Sequence, residues 1–92
     1  MKIIQSPTFH RFAKKVEKKF KAEIDNQIRQ IIEDPSGGEE KRGDLQGVRV
    51  HKFKFLKTLY LIAYRIVKSE LQLVMIATHE NFYRDLKGYI KG

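Results

Sequence analysis

Three apolar runs rich in β-branched and aromatic residues, Val48–Leu56, Leu59–Val67 and Leu71–Ala77, are separated only by Lys57-Thr58 and Lys68-Ser69-Glu70. A parallel connection needs a crossover of about a dozen residues, so breaks this short require antiparallel neighbours. Strict alternation in the first run puts Arg49, His51, Phe53 and Phe55 on one face and Lys52 and Lys54 on the other. In the second run Tyr60, Ile62, Tyr64 and Ile66 share a face, and Arg65 points to the opposite side.

The first half of the chain has a different period. Lys2-Ile3-Ile4-Gln5 reads as a short strand, followed by Ser6 as a helix N-cap and Pro7 at the first helical position. Phe9, Phe12, Ala13, Val16 and Phe20 form one apolar stripe, and Ile24, Ile28, Ile31 and Ile32 form a second. A joint at about Lys21–Glu23 makes the two a helical hairpin, which should end before Pro35. Asp34 to Gly47 is turn-rich and charged, and is expected to be a mobile internal loop. Thr78 caps a last helix, with Phe82, Leu86, Tyr89 and Ile90 as its buried stripe. The predicted order is β-α-α-β-β-β-α. It implies one α+β domain over residues 1–92: an N-terminal helical hairpin on an antiparallel sheet of about four strands, a C-terminal helix, and helices on one sheet face.

Charge restricts function next. Nineteen Lys and Arg oppose eleven Asp and Glu, for a net +8 in a chain of 92 residues. That excess suits a polyanionic partner, namely nucleic acid, the ribosome, an anionic membrane or an acidic protein; solubility alone is the bland reading. With no cysteine, disulfides and thiolate metal sites are excluded, and the composition suits a reducing cytoplasm. Met1–Gln5 is too short for a signal-peptide core, and no apolar run approaches the ~20 residues of a membrane span. The only histidines are His10, His51 and His79, without ligand spacing, and no Gly-rich loop follows a strand. No metal or cofactor is expected.

Reactive side chains concentrate in Thr78-His79-Glu80-Asn81-Phe82-Tyr83-Arg84-Asp85-Leu86-Lys87. His79, Tyr83 and Lys87 recur every four residues and share a helical face beside the buried stripe. Glu80 and Arg84 have the spacing of an i,i+4 ion pair. A helix start disfavours cationic imidazole, and a neutral imidazole can take up a proton near neutral pH. Lys52 and Lys54 are either solvated edge lysines or an anion site. Arg65 is either a phosphate ligand or a surface charge. Together these groups suit metal-free RNA cleavage, in which the 2′-OH attacks its own phosphate, a base and an acid move protons, and cations stabilise the phosphorane. A non-enzymatic basic nucleic-acid-binding module is the alternative.

At these residues the chain resembles the RelE/ParE superfamily of type II toxins, which have a microbial-RNase-like fold. The resemblance covers nearly the whole sequence. It includes Lys41-Arg42-Gly43-Asp44-Leu45-Gln46-Gly47, Leu59-Tyr60-Leu61-Ile62-Ala63-Tyr64-Arg65-Ile66 and, most specifically, Thr78 to Lys87. It implies a growth-arrest toxin, neutralised by a cognate antitoxin in a hetero-oligomer. The activity implied is either ribosome-dependent mRNA cleavage (the RelE branch) or inhibition of DNA gyrase (the ParE branch). Lys52 and Lys54 are similar to the paired strand lysines of RelE, implicated in transition-state stabilisation and proton transfer. His79 and Tyr83 resemble the histidine and aromatic of the YafQ-like Thr-His-Ser-Asp-Leu-Phe ending, where the histidine is catalytic. RelE-like chains carry an arginine where this chain has Leu61, and Glu80 stands near the position of a second RelE arginine. A phosphate-binding cation would then come from Arg65, Arg84 or Arg49, with His51 beside it, or be missing.

Overall fold

Ser6 starts the helical layer. In the computed structural model, which describes residues 1–41 and 47–91, its hydroxyl accepts the Phe9 N–H at 3.0 Å and donates to the Val74 carbonyl. One side chain thus caps α1 (Pro7–Lys15) and ties it to the sheet. α2 (Lys18–Glu33) follows after Val16 and Glu17, both extended, so the joint lies a few residues before the expected Lys21–Glu23. Phe20 therefore belongs to the second helix. The extended joint brings its ring onto Phe55 at 4.6 Å, nearly parallel, and 5.9 Å from Phe12, edge to face.

The strands are β1 (Lys2–Gln5), β2 (Glu39–Glu40), β3 (Arg49–Phe55), β4 (Thr58–Val67) and β5 (Glu70–Thr78), in the order β1-β5-β4-β3-β2. β3, β4 and β5 form the expected antiparallel meander. The expectation of a wholly antiparallel sheet of about four strands is corrected twice. β1 runs parallel to β5: the helical hairpin carries the chain from β1 to the opposite edge of the sheet, and the strands that follow return to it, so no tight turn joins the pair. The expected loop also contributes: Pro35–Gly37 form a 3₁₀ turn and Glu39–Glu40 pair with Val50 and Arg49 as a fifth strand. The rest of that loop, 42–46, lies outside the described residues.

Helices cover both sheet faces rather than one. α1 and α2 bury Phe9, Ala13, Phe20, Ile24, Ile28 and Ile31 against Phe53, Ile62, Tyr64, Leu71, Leu73 and Ile76. The opposite face carries Val48, Val50, Leu61, Ala63, Val74, Met75 and Ala77, and is covered by Phe82 and Leu86 of α3 (His79–Lys91). Each large side chain fully buried in these layers stabilises the fold by about 1.5–3 kcal/mol. A bulge in β5 makes the two clusters compatible. Ala63 pairs with Met75 and Tyr64 with Leu73, leaving Val74 unpaired, so Val74 and Met75 both face α3. The expected share of Tyr89 and Ile90 in the α3 stripe lies outside the described side chains. Among the described residues no helix is long and apolar enough to cross a membrane.

Candidate nucleic-acid interface

α3 begins where β5 ends, so its first residues lie at one end of the sheet face that it covers. Phe82 and Leu86 are fully buried against that face, while His79 and Lys87 are exposed and Tyr83 is half-buried. The helical face drawn from the spacing of His79, Tyr83 and Lys87 thus flanks the buried stripe. β3 presents its own even-numbered residues on the same side. Val50 is buried, as is Val48 just before the strand, whereas Lys52 and Lys54 are exposed. β2 pairs only with Arg49 and Val50, so β3 from His51 onward is an outer edge of the sheet. Among the described residues neither lysine has a carboxylate within ion-pair distance.

Register relates the lysines to His79. Lys52 lies opposite Leu61, which lies opposite Ala77; Lys54 lies opposite Leu59. Tyr60 pairs with Thr78, so Leu59, the previous residue of β4, is next to the start of α3. Leu59 and His79 line one surface cleft of about 540 Å³ together with Lys57, Thr78, Glu80 and Asn81. Lys54 is one strand spacing, roughly 5 Å, beyond Leu59. Lys57, at the β3–β4 turn, adds a cation to the histidine's cleft. Its position in a turn carries no periodic signal, so only the fold reveals it.

Tyr83 lies one turn further along α3. Its ring meets Phe82 edge to face at 5.0 Å, and the Lys41 ammonium lies 5.0 Å from its centroid. Lys41 also pairs with Glu39 at 3.2 Å. Tyr83 first, and then Glu39, raise the Lys41 pKa above the ordinary lysine value against the opposing effect of burial. Lys41 is a second site residue that periodicity did not reveal, since it lies in the turn-rich segment after α2 rather than in a regular run.

The remaining candidates are elsewhere. Arg65 lies on the α3-covered face but six residues, about 20 Å, along β4 from Leu59. Arg84 is exposed and held along its own helix, by Asn81 Oδ1 at 3.0 Å and Asp85 at 3.6 Å. The expected Glu80–Arg84 ion pair does not form, because Asn81 and Asp85 provide the nearer acceptors. Arg49 and His51 lie on the opposite sheet face, under the helical hairpin. Arg49 donates to the carbonyls of Ser36 (3.1 Å) and Gly38 (2.9 Å) and reaches Glu40 at 3.5 Å, securing the segment that leads into β2. His51 Nε2 bonds Gln27 Oε1 at 2.7 Å, and Gln27 in turn donates to Glu23 at 2.6 Å. Burial lowers the His51 pKa. The structure therefore gathers Lys52, Lys54, His79 and Tyr83 on one side of the sheet and separates Arg49 and His51 from them.

A family model described as the ParE-like toxin of type II bacterial toxin-antitoxin systems matches residues 3–87. The chain belongs to this ParE-like toxin family. It is a toxin of the RelE/ParE superfamily, and its fold agrees with solved structures of that group. A chain of the intact E. coli RelBE toxin-antitoxin complex superposes with a TM-score of 0.65 at 10% identity, over 83% of this chain and 93% of the other. The isolated E. coli RelE toxin gives 0.65 at 13% identity, over 95% and 96%. HP0894 from Helicobacter pylori, a conserved hypothetical protein, gives 0.56 at 17% identity, over 87% and 96%. No curated protein sequence matches this toxin significantly. At these identities the structural likeness speaks for the fold.

Proposed function

We propose that this toxin is a ribosome-dependent mRNA endoribonuclease that arrests growth by stopping translation. One observation supports the reading above others: two exposed lysines, Lys52 and Lys54, lie beside the sheet row that leads into His79. In this reading an mRNA phosphate is held over Lys52 and Lys54, whose charges stabilise the crowded phosphorane. The imidazole of His79 takes the proton from the attacking 2′-OH or delivers one to the leaving 5′ oxygen. A lysine of the pair shares proton transfer, and Lys57 acts as the supporting cation at the cleft. Tyr83 positions the RNA. The step needs no metal, and DNA, lacking the 2′-OH, is not a substrate.

The partners in this reading are the ribosome with its mRNA, in the cytoplasm, and an antitoxin with an acidic or amphipathic segment that complements the net +8. The similarity to a chain of the E. coli RelBE toxin-antitoxin complex supports a toxin–antitoxin hetero-oligomer here as well. Induced expression followed by 5′-end mapping of mRNA, with and without translation, tests the activity. New 5′ ends that require translation are expected. The second reading is a ParE-type gyrase inhibitor, favoured by the ParE-like family model. Inhibited supercoiling with intact mRNA would reverse the choice.

A further inference from the structure

Resting on the reading of this surface as an RNA site, we infer that Lys41 is the positioning residue for Tyr83, and that the two form a phosphate-binding pair. Four observations lead there. The Lys41 N–H donates to the Val48 carbonyl at 2.8 Å, which fixes its backbone to β3 at the end of the ladder. Val48 belongs to the cluster under α3, so its neighbour across the ladder meets that helix. The Lys41 side chain is only 18% exposed, compared with 48% for Lys21 in an ordinary helical ion pair. Its ammonium is held between partners from two elements, Glu39 of β2 and Tyr83 of α3. A lysine serving solubility alone keeps its charge in water.

The arrangement also limits how Tyr83 meets RNA. One ring face lies under the ammonium, and Phe82 packs at right angles to the ring. A base stacking on the covered face would have to displace Lys41. Tyr83 thus offers its hydroxyl with a cation beside it, which suits a phosphate oxygen better than a base. Glu39 is the competitor for that cation in the free toxin. RNA binding draws Lys41 from the carboxylate onto the phosphate.

Binding of a fluorescent single-stranded RNA oligomer, followed across a salt series, tests this. Lys41→Met keeps the aliphatic stem and removes the charge. It should weaken binding about three- to tenfold and make the slope of log K against log salt shallower by about 0.7. Lys41→Arg should restore both. The loss should shrink in a Tyr83→Phe background, because the pair acts as a unit. An unchanged slope in Lys41→Met, or the same loss in both backgrounds, would overturn the inference. Glu39→Gln provides a second test that leaves Lys41 in place: it should tighten binding at least twofold, and unchanged or weaker binding also overturns the inference. These outcomes are independent of cleavage. A wild-type toxin that cuts no mRNA but shows the salt and coupling effects refutes the nuclease and retains the pair. A wild-type nuclease indifferent to Lys41→Met does the reverse.

Discussion

The phenol oxygen of Tyr64 rests against the backbone of Gly38, accepting its N–H at 3.2 Å while donating to the Pro35 carbonyl at 2.7 Å. Tyr64 is 1% exposed, so this is how a buried hydroxyl is satisfied and how the segment after α2 is attached to the sheet. A Cβ at residue 38 would fall on that oxygen. Arg49 binds the same segment through the Ser36 and Gly38 carbonyls.

Gly38→Ala should therefore destabilise the toxin by about 1–3 kcal/mol, read as a lower urea midpoint. Tyr64→Phe leaves the Pro35 carbonyl and the Gly38 N–H without their partner and should cost about the same. In the double variant the clash with the hydroxyl is gone, so the alanine should cost less than it does alone. Strict additivity would show that the contact does not carry the effect.

Stability should fall on acidification, in part through His51. Burial lowers its folded pKa below the unfolded value of about 6.5, so between the two the unfolded chain binds more protons. The contribution is fully present above the unfolded value and is lost as pH falls through the folded one. Urea midpoints from pH 8 to pH 5 should decline less in His51→Phe than in the wild type. Parallel curves would exclude His51 as the source.

Leu56 is 85% exposed and sits at φ +57° in the β3–β4 turn, a left-handed position that costs a leucine roughly 1–2 kcal/mol. Leu56→Asn should raise the thermal midpoint, because asparagine tolerates that conformation and exposes no apolar surface. A lower midpoint would mean that Leu56 makes a stabilising contact after all.

Substitutions on the two sheet faces should divide by phenotype. His79→Ala and the double Lys52→Ala/Lys54→Ala change exposed side chains, so they should keep stability within about 0.5 kcal/mol and abolish toxicity. Arg49→Ala should instead lower the thermal midpoint by several degrees, as its internal hydrogen bonds are lost. Full toxicity in the folded His79 and lysine variants would remove those residues from the mechanism.

Much of this division is legible in the sequence. A two-residue period separates Lys52 and Lys54 from Arg49 and His51 whatever the strands pair with, and the structure keeps that separation. The helical period likewise assigns Phe82 and Leu86 to the core and leaves His79 outside it. Features that depend on distant partners are not legible there. Glu39 and Glu40 have low strand propensity and become a strand only because the edge of β3 is there to pair with. The bulge at Val74 follows from matching β5 to two helical layers at once.

Local periodicity in the sequence thus determined the longer helices and strands, their inward faces and the exposed chemistry on each, because backbone geometry converts spacing directly into facing. Tertiary structure alone decided that α3 covers the face opposite the hairpin, that β1 joins in parallel, and that Lys57 and Lys41 arrive beside His79 and Tyr83. Such juxtapositions arise from burying two apolar faces of one sheet at the same time, and no window of neighbouring residues contains that condition.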